Sequence, residues 1–480
     1  MNEPIRRPDA TAPAAPHPRA VVLGTGLAGL LTAAVLAEHG ASTTLVDRDR
    51  LPRTPAARKG LPQARHAHLL WSGGARVIES LLPGTTDRWL AAGARRIPLP
   101  TGLVALTAKG WLPRWPEMQY LVACTRDLLD WGVREQVLAH PRVTLRDGAD
   151  VLGLDGDARR VTGVRLRDPA AADGVDHLPA DLVVDATGRG SHAPRWLAEL
   201  GLPAVREERV DSGLAYSTRI FRAPPGAENF PVVSVQPRAG LDRPAQGATL
   251  VPIEDGRWLI TASGTRGGEP PSDADGFEEF CRRLDHPVLA DLIAQVEPVT
   301  DVFVSHSTVN RRRRFERLPL WPAGFVAAGD SLATFNPVYG QGMSVAALGA
   351  EALRAELRRG GLGSLDDPGL ARRAQRVLAR TADNAWDLAT GQDIRYPGAI
   401  GDQPPVAARL LRGYFDRLTL AATGRPAVAR AMIDVMTLSA PLDALLRPAV
   451  ALAVLRGPAT APLPGPPFTA AERDLCRAPR

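Results

Sequence analysis

Lysine is nearly absent from this chain of 480 residues. Lys59 and Lys109 are its only lysines, so almost all of its 58 basic side chains are arginine. Against 52 acidic residues the net charge is +6. So small an excess, carried by arginine throughout, reads as a coding bias and not as a nucleic-acid surface. No RNA- or DNA-binding module is legible. Cysteine is scarce too. Cys124, Cys281 and Cys476 lie far apart, which excludes a disulfide framework and gives no metal-ligand spacing. A reducing cytoplasm is the simplest compartment. Residues 1–18 hold proline, alanine and Arg6-Arg7 but no apolar run. They read as a disordered tail and not as a signal peptide. Leu438 to Leu455 is the most apolar late stretch, yet Asp443, Arg447 and two prolines interrupt it. It is too broken to span a bilayer and reads as a helical element with one apolar face. No internal repeat and no catalytic triad are visible.

What is present is ample material for a core. Hydrophobic residues make up 45% of the chain, and at roughly 150 residues per domain its length predicts two or three units. Near the start, Ala20-Val21-Val22-Leu23 is a short apolar run of the kind a buried parallel strand requires. Gly24-Thr25-Gly26-Leu27-Ala28-Gly29 follows. Gly24 permits a tight turn, Gly26 clears a path for a pyrophosphate, and Gly29 lets the next helix pack against the strand. That helix runs through Leu30, Leu31, Ala34, Val35 and Leu36, and Gly40 ends it. Thr43-Thr44-Leu45-Val46 is a second strand, with Asp47 at its end and Arg48 next. There a carboxylate can accept both ribose hydroxyls, and it would repel the extra phosphate of NADP. Strand, glycine turn, helix and acid together make a dinucleotide site.

Further along, a polar loop runs from Asp49 to Arg65, and a helical segment is expected from His66 to Leu82. Leu99 to Trp115 reads as strands turning at Gly102 and Gly110. Thr125 is a candidate N-cap for a helix reaching Leu138. Val143 to Val164 reads as a small antiparallel meander. Leu182 to Gly188 is another buried strand, and Val210 to Ser263 alternates as several strands do. Phe325 to Asp330 is the last buried strand, a helix follows from Gly342 to Arg359, and residues 366 to 457 are mostly helical. Arg311 to Arg314 is the one dense basic run. It reads as a solvated strand edge, with a phosphate or NADPH contact as the alternative.

The most specific chemistry lies far downstream, in Gly329-Asp330-Ser331 and Asn336-Pro337-Val338-Tyr339-Gly340-Gln341-Gly342-Met343. A strand delivers Asp330 to the cofactor, where its carboxylate can hold a ribityl hydroxyl. Pro337 sets a rigid turn. Gly340 and Gly342 expose backbone N–H groups at the start of a helix, whose positive end suits the negative charge of a reduced flavin.

These stretches together resemble the single-component FAD monooxygenases of the para-hydroxybenzoate hydroxylase type. The resemblance implies an α/β architecture: a Rossmann-like FAD-binding domain interleaved with a mostly antiparallel substrate-binding sheet, plus a helical C-terminal region. The FAD-binding parts are expected at 19–87, 118–206 and 306–360, the substrate sheet at 88–117 and 207–305, and the helical region at 361–480. It further implies non-covalent FAD held by Gly24, Gly26, Leu27, Ala28, Gly29, Asp47, Arg48, Gly329, Asp330, Pro337, Gly340, Gly342 and Met343. Arg58, in Arg58-Lys59-Gly60-Leu61, resembles the arginine of the mobile-flavin loop that touches the cofactor. Arg126 resembles the arginine that neutralises the pyrophosphate. Ala186-Thr187-Gly188-Arg189-Gly190-Ser191 resembles a second loop related to NADPH and FAD. Thr187 stands there in place of the usual aspartate, and Ala333 in place of a histidine.

A narrower resemblance covers nearly the whole chain. Arg58 to Arg76, Leu81 to Arg88, Ile253 to Trp258, Thr265 to Gly268 and Phe335 to Gly340 look like the epoxidases of polyether ionophore biosynthesis, of the lasalocid and monensin type. It implies epoxidation of the alkenes of a linear polyene polyketide, free or carrier-bound. NADPH or NADH would reduce FAD, and O2 would add at flavin C4a. Epoxidation needs no base, only an apolar pocket that excludes water. Wall candidates are Trp71, Trp111, Trp115, Tyr216, Phe221 and Phe335, with Pro337 at the flavin. His66 and His68 read as structural, with acid–base work as the alternative. A flavin halogenase needs a dedicated lysine and a Trp-x-Trp-x-Ile-Pro segment, which Trp111 to Pro116 does not match. A flavoprotein cyclase without redox turnover, or a hydroxylase of another apolar substrate, remains open.

Overall fold

The computed structural model describes residues 17–168, 174–294, 296–306, 308–360, 365, 367–403, 406, 409 and 411–475. The expected tail therefore lies largely outside the described residues, as does Cys476. The first apolar run becomes the centre of a five-stranded parallel sheet. Its order is Phe325–Ala327, Leu182–Asp185, Arg19–Leu23, Ser42–Asp47, Val143–Asp147. Strands buried on both faces need no alternation, and Leu182 to Asp185 are all buried. The helix Leu27–Glu38 packs against this sheet and against the long helix Gly342–Gly360. One large apolar cluster joins sheet and helices, and the fold is of the α/β class.

The second layer is a seven-stranded sheet, antiparallel except where Val232–Val235 runs parallel to Leu103–Thr107. Its central strands alternate strictly. Phe221, Trp258, Ile260, Leu250 and Val233 face one way, onto Phe277 and the helices Ala274–Arg282 and Val288–Ile293. Ile220, Leu259, Val251, Ile253 and Val232 face the other way. There they meet a small antiparallel sheet made of Leu69–Trp71, Gln119–Ala123 and Arg95–Leu99. Successive strand residues point to opposite faces, so one strand serves two cores.

Several local expectations change. The stretch expected as one helix from His66 to Leu82 is instead a strand, Leu69–Trp71, followed by a helix, Ser72–Leu81. Leu70 and Trp71 pair with the central strand of the small sheet, and that pairing overrides the helical pattern. Val143–Asp147 does not join a meander. It is the edge strand of the parallel sheet, and the antiparallel group is Val151–Gly156, Val161–Arg167 and Val175–Pro179. Within the mostly helical C-terminal part, Ile400–Gly401 pairs with Val210 and Asp211.

Arg311 to Arg314 is no solvated edge either. Arg312 is 1% exposed and Arg313 is 3% exposed. Arg312 pairs with Asp383 at 2.6 Å and Arg313 with Glu207 at 3.0 Å, while Arg314 binds Glu208. The strand Asn310–Arg313 lies inside a four-stranded sheet, beside the strand Glu207–Asp211 that supplies Glu207 and Glu208. Thr125 is the N-cap expected of it: its hydroxyl accepts the N–H of Leu128 at 3.3 Å, and the helix runs Arg126–Leu138.

Candidate functional site

The glycine turn is built by close approach. Gly24 has φ +94° and lies against the backbone of Ala186, where a Cβ would stand 2.5 Å from the carbonyl oxygen. At Gly29 a Cβ would stand 1.9 Å from the carbonyl oxygen of Gly24. At Gly26 a Cβ would meet nothing within 4 Å. The first and third glycines thus serve packing, and the second opens onto free space at the start of the helix. Leu27 and Ala28 form the first turn of that helix.

Asp47 reaches back to this turn. Its Oδ2 accepts the N–H of Thr25 at 2.8 Å and the hydroxyl of Thr25 at 2.5 Å, and its Oδ1 accepts the N–H of Asp49 at 2.9 Å. Arg58 lies over the same turn. It donates to the hydroxyl of Thr25 at 2.7 Å and to the Thr25 carbonyl at 3.0 Å, and it stands 3.4 Å from Asp47. Arg126 is 8% exposed and is held by Asp130 at 2.7 Å. The other oxygen of Asp130 is buried without a hydrogen-bond partner and lies 3.9 Å from Arg58. Two guanidiniums and the carboxylates of Asp47 and Asp130 thus meet beside the glycine turn, and the guanidiniums offer donors that could hold a pyrophosphate. Arg48 is exposed.

The downstream motif folds onto the same place. A Cβ at Gly329 would lie 2.5 Å from the methyl of Ala28. This contact joins the last strand of the parallel sheet to the first helix, across some three hundred positions of sequence. Asp330 follows. Burial pushes its carboxyl up from the ordinary range, while Arg189, Arg126 and Arg311 favour its charge. Asp185 ties the surrounding loops. It accepts from Thr187 at 2.6 Å, from Ser191 at 2.5 Å and from Ser331 at 3.3 Å.

Beyond Asp330 the chain turns at Pro337–Tyr339, and Gly340 takes φ +62° before the long helix begins at Gly342. A Cβ at Gly342 would meet nothing within 4 Å, so the helix start is open. Pro337 is exposed at the turn, and Met343 is buried beneath it. These residues could hold FAD: open glycines at two helix starts, Asp47 with Arg58 and Arg126 beside the first, and the half-buried Asp330 before the second. When bound, FAD supplies the redox and oxygen chemistry that the side chains themselves lack.

The proposed wall residues separate. Tyr216 lies on the inner face of the large sheet and donates to Asn336 Oδ1 at 3.0 Å. Trp71 also lies on that side, with its indole N–H on the carbonyl of Tyr339 at 3.1 Å. Phe221 is corrected: it is 0% exposed and packs on Phe277 across the opposite face, because it is odd in register where Tyr216 is even. Phe335 is buried in the main core, Trp111 packs edge-on to His286 in the outer core, and Trp115 lies among the C-terminal helices. His66 bonds Thr218 at 2.8 Å, and Thr218 bonds Thr261 at 2.7 Å. Burial, with a contribution from Arg65, holds the His66 imidazole down to about 4. Burial and Arg126 hold His68 to about 3. Both rings are neutral at neutral pH.

Sequence reasoning missed Asp393, Asn310 and Asp185. Asp393 and Asn310 are marked by partners distant in sequence, while Asp185 bonds Thr187 and Ser191 in its own loop as well as the distant Ser331. Asp393 is fully buried and accepts from Tyr339, Asn336 and Asn310.

Comparison with known proteins agrees with this geometry. The FAD binding domain family matches residues 18–359. "Protein Rv3254" of Mycobacterium tuberculosis is 32% identical over 426 residues, covering 86% of this chain and 88% of its own. "6-methylpretetramide 4-monooxygenase" of Streptomyces rimosus is 28% identical over 365 residues, covering 72% of this chain and 76% of its own. The crystal structure of pqsL, a probable FAD-dependent monooxygenase from Pseudomonas aeruginosa, superposes with a TM-score of 0.58 at 20% identity. It covers 79% of this chain and 98% of its own.

Proposed function

The chain belongs to the FAD binding domain family of flavin-dependent monooxygenases, and on that premise we propose that it epoxidises the alkenes of a linear, apolar polyene polyketide. FAD is the oxidising cofactor, NADPH or NADH the reductant and O2 the oxygen source. One observation carries the reading. The sheet face turned toward the flavin-side turn is made of Ile220, Val232, Val251, Ile253 and Leu259, met by Leu69, Leu99 and Leu121. Most of this face is closed against the small sheet, so the hydrocarbon chain is placed at its flavin-side edge, by Tyr216 and Thr218. The face offers few polar anchors, chiefly His66, Thr218 and Thr261.

The same face supports alkene chemistry over phenol chemistry. Hydroxylation of a phenol gains from a base that removes its proton. A histidine held near 4 is a weak base at neutral pH, and His66 is already bonded to Thr218. Epoxidation asks of the protein only that it bind the chain, orient the double bond and exclude water. Likeness to a 6-methylpretetramide 4-monooxygenase favours oxygen transfer over a purely structural use of FAD.

The test is to incubate the protein with FAD, NADPH, oxygen and a linear polyene polyketide, and to follow products by mass spectrometry and proton NMR. Gain of whole oxygen atoms with loss of vinyl protons is the expected result. Gain of oxygen with all alkenes retained makes the enzyme a hydroxylase. An isomer of unchanged mass, formed without NADPH consumption, makes it a cyclase.

A further inference from the structure

The helix Asp383–Asp393 follows the segment shared with the FAD binding domain family, yet its last residue reaches into the flavin-side turn. Asp393 is 0% exposed. Its Oδ1 accepts the hydroxyl of Tyr339 at 2.6 Å. Its Oδ2 accepts Asn310 Nδ2 at 2.7 Å, Asn336 Nδ2 at 2.8 Å and the Ser212 hydroxyl at 3.4 Å. All four donors are neutral. A carboxylate taken out of water is costly even when well bonded, so so complete a cage calls for a purpose beyond packing.

The cage closes around one turn. Asn336 is gripped three ways. Its side-chain amide goes to Asp393, its backbone N–H goes to Asn310 Oδ1 at 2.7 Å, and its Oδ1 accepts Tyr216 at 3.0 Å and the N–H of Val338 at 3.2 Å. Tyr339, at the other end of the turn, is held by its hydroxyl on Asp393 and by its carbonyl on Trp71. One carboxylate therefore fixes both ends of Asn336–Tyr339, and with them the backbone leading into Gly340 and Gly342.

We propose that Asp393 is a positioning residue for the flavin: it sets the orientation of the Asn336–Gly340 turn, and through it the C-terminal helical region tunes the bound cofactor. This rests on the reading that FAD lies against that turn. Asp393 touches no reacting atom. It acts through Asn336 and Tyr339, whose side chains it holds and whose backbone leads into Gly340.

The test uses the full chain, the single variants Tyr339→Phe, Asp393→Asn and Asp393→Ala, and the double variant of the first two. FAD affinity is measured by fluorescence quenching, and the midpoint potential of bound FAD by dye equilibration. Melting temperatures are taken with and without FAD. Tyr339→Phe removes one bond and leaves the carboxylate caged. Asp393→Asn keeps one acceptor for the two amides. Hydrogen bonds to a charged group set the scale, so Asp393→Ala is expected to weaken FAD binding about ten- to a hundredfold. The milder pair should shift the potential in the same direction with flavin-free melting near wild type. The double variant Tyr339→Phe with Asp393→Asn should shift it by less than the sum, since both act on one turn. If Asp393→Ala does not fold, the milder pair decides. Wild-type affinity and potential in both milder variants overturn the proposal. So does a fall in melting temperature shared by flavin-free and flavin-bound forms with no change in potential. A wild-type protein that binds no FAD sinks the cofactor reading itself, which is a different failure.

Discussion

The indole N–H of Trp71 donates to the carbonyl of Tyr339 at 3.1 Å, joining the small sheet to the flavin-side turn. Gly340 makes room for it, since a Cβ there would stand 3.1 Å from the indole nitrogen. Trp71 is therefore a strut and not merely a wall. Trp71→Phe keeps most of the buried area and removes the donor. Loss of one neutral hydrogen bond costs about 1 kcal/mol. FAD affinity should fall roughly fivefold, with little loss of melting temperature in the flavin-free protein. Unchanged affinity by fluorescence titration would show that the strut does not reach the cofactor.

Gly26 and Gly29 separate binding from folding. A methyl at Gly26 enters free space, so Gly26→Ala should fold and melt near wild type yet lose most FAD binding. A methyl at Gly29 enters the carbonyl of Gly24, so Gly29→Ala should destabilise the flavin-free protein by about 3 kcal/mol. Urea unfolding and FAD titration of both variants check this. Equal effects of the two on stability would contradict the assignment of the open side to the pyrophosphate.

Asp330 is half-buried, and Arg189, Arg126 and Arg311 lie close enough to favour its charge. Asp330→Ala should weaken FAD binding about ten- to a hundredfold, through loss of a charge-assisted bond of about 1.5–3 kcal/mol. The purified variant should be pale where the wild type is yellow. A variant that retains full flavin after gel filtration would count against a ribityl contact.

His66 gives the protein an acid liability. Its folded value of about 4 lies below the unfolded value near 6.5. Between those limits the unfolded chain takes a proton that the folded chain refuses, so stability falls as pH drops through the window and is fully present above it. The loss attributable to this ring reaches on the order of 3 kcal/mol. His66→Asn lacks it. The stability gap between wild type and His66→Asn should therefore narrow from pH 7 to pH 4.5 in urea unfolding. The raised carboxyls of Asp330 and Asp393 have the opposite sign but are common to both proteins and cancel in the difference. A gap that stays constant would show that His66 titrates near its ordinary value.

The sequence by itself determined the parts whose cause is local. An apolar run with β-branched residues, a glycine turn and an apolar helix specify the strand Arg19–Leu23 and the helix Leu27–Glu38 within thirty residues. Thr125 ends a strand and caps a helix for reasons carried by its own hydroxyl. Glycine spacing likewise marks where Gly24 and Gly29 must be bare, since sterics at a tight turn depend on near neighbours.

Tertiary structure decided what depends on partners far away in the chain. Leu69–Trp71 became a strand because a sheet edge was there to receive it. Phe221 and Tyr216 look alike in sequence, but the period of two puts them in different cores, and only the packed sheet says which face meets the flavin side. Arg313 and Arg314 were paired by acids on the strand beside them, and Arg312 by Asp383 on a helix distant in sequence. Asp393 had no local mark at all. A carboxylate becomes a positioning group only when folding brings Tyr339, Asn336 and Asn310 to it, and no window of neighbouring residues contains that information.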